Sequence, residues 1–372
     1  MIVSVQQEKL MNGLNVATRA IYGRPHLPIL ENVLLEADNS RLKLTATNLD
    51  MRITAWIPAE VLEAGSITLP GRTFSELVSK LPKGRIDMKL DASTHIMGIR
   101  CGIQNANIHG IDADDFPPIQ HGDVDFYIRA ETLGGMIDET TFASATDDYR
   151  PVLECVYVKI SGSALTMVAS DGRQLAKRTG DMARDFDGEK VILVPAKAMD
   201  VVARVCGDDE VGVGFLDDGR FVTFTAPNVM ITVSLFDGKY PDFSAIIPSS
   251  FLTKYTVYKD DLLAVCRRAE IFARDNANSC TMVVQPPGKF GGPAEVVIVG
   301  KSAERGDTEG VVAVDFEDEP MEITFNIKYL IGALNVIKEE RVIFQGNGPD
   351  NAAVIKPEGR ENFVYVFMPM SL

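Results

Sequence analysis

The chain has 372 residues, 46% hydrophobic and 24% charged, the balance of a globular protein with room for two or three ordinary domains. Its 37 basic and 52 acidic side chains leave a net charge of −15, which argues against a protein whose whole surface adheres to a phosphate backbone. No apolar run approaches the ~18 residues of a membrane span, the N-terminus lacks a secretory pattern, and the five scattered cysteines never fall into a CxxC spacing. Cys101, Cys155, Cys206, Cys266 and Cys280 therefore read as buried thiols of a cytoplasmic protein rather than as disulfide partners or metal ligands.

In chain order, a helix-like segment over 8–22 is followed by "PILENV" from Pro28 and the alternating stretch "RLKLTATNLD". A second helix-like segment covers 70–85. Counted from Pro70, its apolar residues fall at +4, +7 and +11 (Phe74, Leu77, Leu81), one face of a helix, and Ile86 and Met88 then alternate as in a half-buried strand. The Pro-rich "DFPPIQHGDVD" closes this portion. At a constant offset of 123 the text then repeats: Val3 falls on Phe126, Leu10 on Leu133, Leu14 on Ile137, "PILENV" on "PVLECV", Leu44 on Met167 and Thr47 on Ser170. Helix-like segments recur at 131–146 and 195–206, where Met199, Val202 and Val205 take the same three positions and Val211 and Val213 follow. The strand candidates "GRFVTFTA" and "NVMITVSLF" lead to a second linker, "YPDFSAIIPSS". A third, fainter copy sets Tyr255 over Phe126 at an offset of 129, with helix-like segments at 259–274 and 326–340, Leu330, Ala333 and Ile337 on the stripe, and Val342 and Phe344 beyond it. The expected fold class is α+β: three repeated domains, 1–124, 125–252 and 253–372, each with two helices packed on antiparallel sheets.

Three related domains in series can form an open array or close on another chain. A 124-residue domain has a radius of gyration of about 14 Å and is roughly 35 Å across. Three in a ring leave a hole of about 5 Å, and six leave roughly 35 Å. Duplex DNA, a rod roughly 20 Å thick, passes only the six-domain ring, which requires two chains. The six helix-like segments carry formal charges of +1, +3, −3, +1, +1 and 0, so +3 together, against −18 for the rest of the chain. Helices lining a hole would make its wall mildly basic and the outside acidic, so that enclosure rather than adhesion would hold a duplex.

The stretches "GRPHLPILENVLLEADNSRLKLTATNLDM", "DYRPVLECV", "VASDGRQLA", "YPDFSAIIP", "FNIKYLIGALNVI" and the terminal "VYVFMPMSL" resemble the bacterial DNA polymerase III beta subunit, the replicative sliding clamp, in order and over the whole chain. The resemblance implies the DNA-clamp fold and a head-to-tail homodimer encircling double-stranded DNA without sequence preference. It implies neither catalysis nor a cofactor. It further implies a hydrophobic pocket for short linear motifs of the replicative polymerase, the clamp loader and repair proteins, giving processivity. By position, the wall of that pocket would include Ser170, Gly172, Arg173, Leu175, Pro241, Ile246, Asn326, Tyr329, Val366, Met368, Pro369 and Met370. Methionines suit a pocket that serves differently shaped partners. Arg24, Arg72, Tyr149, Arg150, Lys197 and Arg204 match DNA-touching positions, and Leu77 and Ile108 would meet Ile271 and Phe272 of a second chain. The sequence departs from the family pattern at Arg173, Gln174 and Ser371, which leaves the peptide preference open.

Two other readings compete. The carboxylates of "DADDF" (Asp112 to Asp115) and "ATDDY" (Asp147, Asp148) could hold a metal, but they lie in turn-rich stretches with no His or Glu spaced to complete a site, and no Gly-rich phosphate loop precedes a helix. A three-domain scaffold unrelated to nucleic acid would show no dependence on DNA topology.

Overall fold

The computed structural model describes residues 1–22, 27–118, 122–146, 149–207, 209–286, 293–316 and 319–370, with backbone alone over 183–185 and at 218. Among the described residues six α-helices occupy the six helix-like segments of the sequence: α1 (Gln7–Ala17), α2 (Gly71–Lys80), α3 (Ala130–Thr141), α4 (Ala196–Val205), α5 (Lys259–Ala273) and α6 (Ile327–Val336). Phe74, Met199 and Leu330, the +4 residues of the second helix in each copy, are all buried. So are the alternating pairs beyond them, Ile86 and Met88, Val211 and Val213, Val342 and Phe344, each on the inward face of a strand. The mixture of helices and antiparallel sheets is the α+β class.

The chain divides into two compact units. One comprises 1–131, 182–186 and 201–235; the other comprises 132–181, 187–200 and 236–372. The first holds a five-stranded sheet in the order Glu60–Glu63, Ile2–Gln6, Arg85–Asp91, Ile96–Cys101, Gln104–His109. It also holds an eight-stranded sheet, in which Val229–Val233 pairs antiparallel with Met51–Ala55. The second contains most of a ten-stranded sheet, in which Phe363–Phe367 pairs antiparallel with Gln174–Arg178. In both sheets the last strand of one copy adds to an earlier strand of the preceding copy. Met51 and Gln174, which open the two receiving strands, are 123 positions apart.

The repeat is visible at atomic detail. "PILE" and "PVLE" each form one turn of 3₁₀ helix, Pro28–Glu31 and Pro151–Glu154, with Leu30 and Leu153 buried and a strand starting at the next residue. The hydroxyl of Thr47 accepts from the N–H of Leu49 (3.1 Å) and donates to the carbonyl of Met51 (3.0 Å). The hydroxyl of Ser170 accepts from Gly172 N–H (3.0 Å) and donates to Gln174 O (2.6 Å). Asn48 and Asp171 add the same side-chain bond, accepting from the N–H of Met51 (2.8 Å) and Gln174 (2.9 Å). A third, different hydroxyl turn stands at Ser302, whose hydroxyl accepts from Glu304 N–H (3.3 Å) and Arg305 N–H (3.1 Å) but donates to Asp275 Oδ2 (3.1 Å). Among the described residues no helix is long and apolar enough to cross a membrane.

Candidate functional site

Within the second unit, the turn Ser170–Gln174 forms one side of a cavity of about 350 Å³ lined by Arg173, Ala277, Asn326, Tyr329, Met368, Pro369 and Met370. Each wall has a local cause. Asp171 ties the turn by accepting from Arg173 N–H (2.7 Å), Gln174 N–H (2.9 Å) and Gln174 Nε2 (3.0 Å). Asn326 is the N-cap of α6, its side chain accepting from Lys328 N–H (3.0 Å), so the cap chemistry sets its place at the rim. Tyr329 stands on the first turn of α6. The segment after the strand Phe363–Phe367 is held across the mouth by two main-chain bonds, Met368 N–H to Arg173 O (2.8 Å) and Met370 N–H to Thr324 O (2.8 Å).

Below the turn, Val168, Leu175, Val354 and Val366 form a buried cluster, against which Tyr157, Phe243, Ile247 and Phe251 pack half-buried. Among the described residues the cavity wall is mostly apolar, with Ala277, Met368, Pro369 and Met370, and carries a single cation, Arg173, and no carboxylate. Burial, and after it the charge of Asp171, raises the Tyr329 phenol above its ordinary pKa, while the Arg173 guanidinium opposes that by its charge and by donating to the phenol oxygen. The phenol stays neutral at physiological pH and serves as a hydrogen-bonding rim.

Of the residues expected in the pocket, Arg173, Asn326, Tyr329, Met368, Pro369 and Met370 meet around this cavity. Ser170 is the buried hub of the turn, and Leu175 and Val366 lie beneath it. Gly172 is exposed on the turn, and Pro241 and Ile246 are exposed on the segment leading to residue 252. Ala277 was not anticipated. Its signal is the "DNANS" stretch that ends α5, where Ala277 and Asn278 both take positive φ (48° and 57°), as Asn-rich helix ends do.

The positions expected on DNA fall into three sets. Arg72, Lys197 and Arg204 are exposed on α2 and α4, and Tyr149 is 91% exposed. Arg150 instead lies against the pocket turn: Nη2 donates to Asp171 O (3.0 Å), and the guanidinium packs on Gly172. Arg24 lies outside the described residues, as do Ser371, Asp147 and Asp148. Of the positions expected at a protomer seam, Ile271 is exposed and Leu77 and Phe272 are half-buried, whereas Ile108 turns into its own sheet.

Asp112 caps the 3₁₀ turn Ala113–Asp115, accepting from Asp114 N–H (3.1 Å), which accounts for the Asp run locally. Among the described residues no three His, Cys, Asp or Glu side chains gather as a metal site. All five cysteines are buried and unpaired, and burial pushes the thiols of Cys155, Cys206 and Cys280 up to about 11, 12 and 12. Thiolate chemistry at neutral pH is thus suppressed.

Comparison with known proteins decides the family. Residues 1–120 match the N-terminal domain of the DNA polymerase III beta subunit, 127–242 its central domain and 244–371 its C-terminal domain. This chain belongs to the beta sliding clamp family. It is 29% identical over 390 residues to the beta sliding clamp of Synechocystis, covering 99% of this chain and 98% of that one, and 27% identical over 378 residues to that of Bacillus subtilis, with the same coverage. The crystal structure of the Bacillus subtilis DNA polymerase sliding clamp superposes with a TM-score of 0.92 at 26% identity, covering 100% of this chain and 99% of that one. A Pseudomonas aeruginosa sliding clamp bound to griselimycin gives 0.91 at 27%, with both chains covered in full. The chain is accordingly a non-catalytic processivity factor of DNA replication, which encircles duplex DNA as a homodimeric ring and tethers the polymerase.

Proposed function

We propose that the cavity between Arg173, Tyr329 and Met368–Met370 is the dock for the short linear motifs by which the replicative polymerase, the clamp loader and repair proteins use this clamp. The observation that carries the reading is an apolar concavity rimmed by Tyr329, Asn326 and Arg173 on a turn with its own internal hydrogen bonds. Such a site seats Leu or Phe anchors while polar groups fix orientation. Replacing Tyr329 and Met368 together by Ala should weaken a labelled polymerase-motif peptide by about 30-fold or more in fluorescence anisotropy, since pocket anchors commonly contribute 1–2 kcal/mol each. The sedimenting mass should stay that of the dimer. Peptide binding within twofold of the parent would refute this placement.

We infer the protomer seam from the same repeat. Each intrachain continuation pairs a terminal strand with the strand that follows a hydroxyl turn. The copies left over are Gln104–His109, an edge strand of the five-stranded sheet, and Gly306–Val314 after the Ser302 turn, which among the described residues pairs on one side only. Transferring the register Phe367↔Gln174 and Val233↔Met51 sets Ile108 of one chain opposite Gly306 of the next, and Gln104 opposite Gly310. An open cavity at the Ser302 turn, lined by Asp275, Lys301, Glu304 and Asp307, stands where a terminal strand's end would arrive. In this reading Leu77, Ile271 and Phe272 flank the paired edges, and the division of the chain falls at 124/125 and 252/253. Arg24, Arg72, Tyr149, Lys197 and Arg204 act as non-specific DNA contacts. Arg150, whose guanidinium is engaged by Asp171, supports the pocket in addition to any phosphate contact. The place of action is the cytoplasm.

A further inference from the structure

The strand pair that reaches the pocket at one end meets a buried carboxylate at the other. Gln174–Arg178 and Phe363–Phe367 run antiparallel, with Gln174 opposite Phe367 at the pocket and Arg178 opposite Phe363 at the far end. Beyond that end Thr179 N–H donates to Asn362 O (2.9 Å). There the carboxylate of Glu139, on the last turn of α3 and only 5% exposed, accepts from Arg178 Nε (2.7 Å) and, in bidentate fashion, from Arg360 Nη1 (3.1 Å) and Nη2 (2.6 Å). Arg360 also pairs with Glu339 just beyond α6 (2.8 Å). Arg178 donates as well to the carbonyl of Thr179.

The end of α3 reaches the pocket by a second route. The ring of Phe142 meets that of Tyr365 at 5.3 Å, tilted by 33°, and it lies so close to α6 that a Cβ on Gly332 would sit 3.2 Å from it. The Tyr365 hydroxyl, fully buried, donates to Gln174 Oε1 (2.5 Å). Gln174 Nε2 donates to Asp171 Oδ2, and Asp171 holds the N–H of Arg173 on the pocket wall.

We propose that Glu139 and Tyr365 are positioning residues for the peptide dock. Glu139 fixes the register of the strand pair by drawing Arg178, on one strand, and Arg360, in the turn that leads into the other, onto a single carboxylate, and Tyr365 passes that register to the turn that carries Arg173. The energetics favour such a role. Arg178 and Arg360 are themselves mostly buried, so without Glu139 two cations face each other with little solvent to screen them. A one-residue slip would relieve that repulsion, and it would also turn Leu175 and Val366 out of the cluster beneath the turn.

The proposal rests on the dock assigned above, and its test separates the two. In the full-length dimer, Glu139→Gln keeps the shape and removes the charge. Tyr365→Phe removes only the hydroxyl. Glu139→Gln should weaken the labelled polymerase-motif peptide by about tenfold and speed amide exchange in 174–178 and 363–367, with the dimer mass unchanged. Tyr365→Phe should weaken it three- to fivefold and leave exchange at the Glu139 end untouched. Peptide affinity within twofold of the parent for Tyr365→Phe, or for a folded Glu139→Gln that merely melts earlier, would overturn the proposal and leave a structural ion cluster only. If the Tyr329/Met368 double variant binds normally, the dock reading has failed; if it loses binding while both positioning variants retain it, only the present inference has failed.

Discussion

At the scale of single residues, the hydroxyl turn is the most informative feature of the molecule, because its first two copies present the same backbone with different side chains. Gly172 takes φ +89°, and a Cβ there would meet Arg150 Nη2 at 2.8 Å. Leu49, at the same place in the first copy, takes φ +79° with a full side chain, 55% exposed. The two substitutions that exchange these residue types should therefore act in opposite directions. Gly172→Ala should cost about 1–2 kcal/mol from the left-handed backbone and the displaced guanidinium. Leu49→Gly should gain up to about 1 kcal/mol, the relieved strain being partly offset by the greater freedom of glycine in the unfolded chain. Chemical denaturation monitored by circular dichroism checks both signs. Equal destabilisation by the two would show that the turn is held by its hydrogen bonds alone. The pairing of Thr47 with Ser170 is legible in the sequence because no insertion separates them from the matched stretches upstream. Ser302 is not legible in that way: the hairpin before it is longer, so the offset of 129 at Tyr255 has become 132 at Ser302, and a gapless overlay slides past it. The pocket's Met368-Pro369-Met370 wall was readable only through family resemblance, since an apolar chain end looks the same in sequence whether it closes a core or rims a cavity.

At the scale of elements, helical spacing located all six helices but overran their ends. The segment 8–22 ends as α-helix at Ala17 and continues as a 3₁₀ turn through Ala20, and 326–340 stops being helical at Val336 although Ile337 is buried. Apolar residues beyond a helix end satisfy the same stripe, so periodicity alone cannot place the stop. Sheet continuation was beyond the sequence for a different reason: a strand that joins a neighbouring sheet and a strand at a free edge share the same alternation. The seam proposal turns on that distinction and can be broken at one atom. Gly110 N–H bonds inward to His95 O, so by alternation the N–H groups of Asn105, Asn107 and His109 point away from their own sheet. A proline in place of Asn107 would remove an outward donor and leave the inward ladder intact. Asn107→Pro should weaken the dimer by about tenfold or more, read as a shift toward monomer in sedimentation equilibrium, because a missing main-chain bond and a blocked edge each disfavour pairing. A variant sedimenting wholly as dimer at the parent's dissociation midpoint would place the seam elsewhere.

At the scale of the whole molecule, a chain of net charge −15 has to stay on a polyanion, and the residues divide that task unevenly. The segment 131–146 carries −3 by count, but Glu139 is buried and matched by Arg178 and Arg360, so one of those charges never faces solvent. Arg72, Lys197 and Arg204 are exposed at the starts and ends of α2 and α4, where they can neutralise phosphates without reading bases. Replacing all three by Ala should lower the affinity of the unloaded protein for linear duplex and flatten the salt dependence by about 0.9 in log–log slope for each phosphate no longer neutralised. Residence after loading should respond differently. A closed ring leaves a circular duplex only by opening, and opening breaks the protomer seam, not the phosphate contacts. Once loaded by the clamp loader onto nicked circular DNA, the triple variant should dissociate at the parent's rate, and both should run off within the dead time of the measurement when the circle is linearised. Asn107→Pro should do the reverse, leaving the salt slope unchanged and shortening residence on the circle. Fast loss of the triple variant from circles would mean that adhesion, rather than enclosure, retains this clamp on DNA.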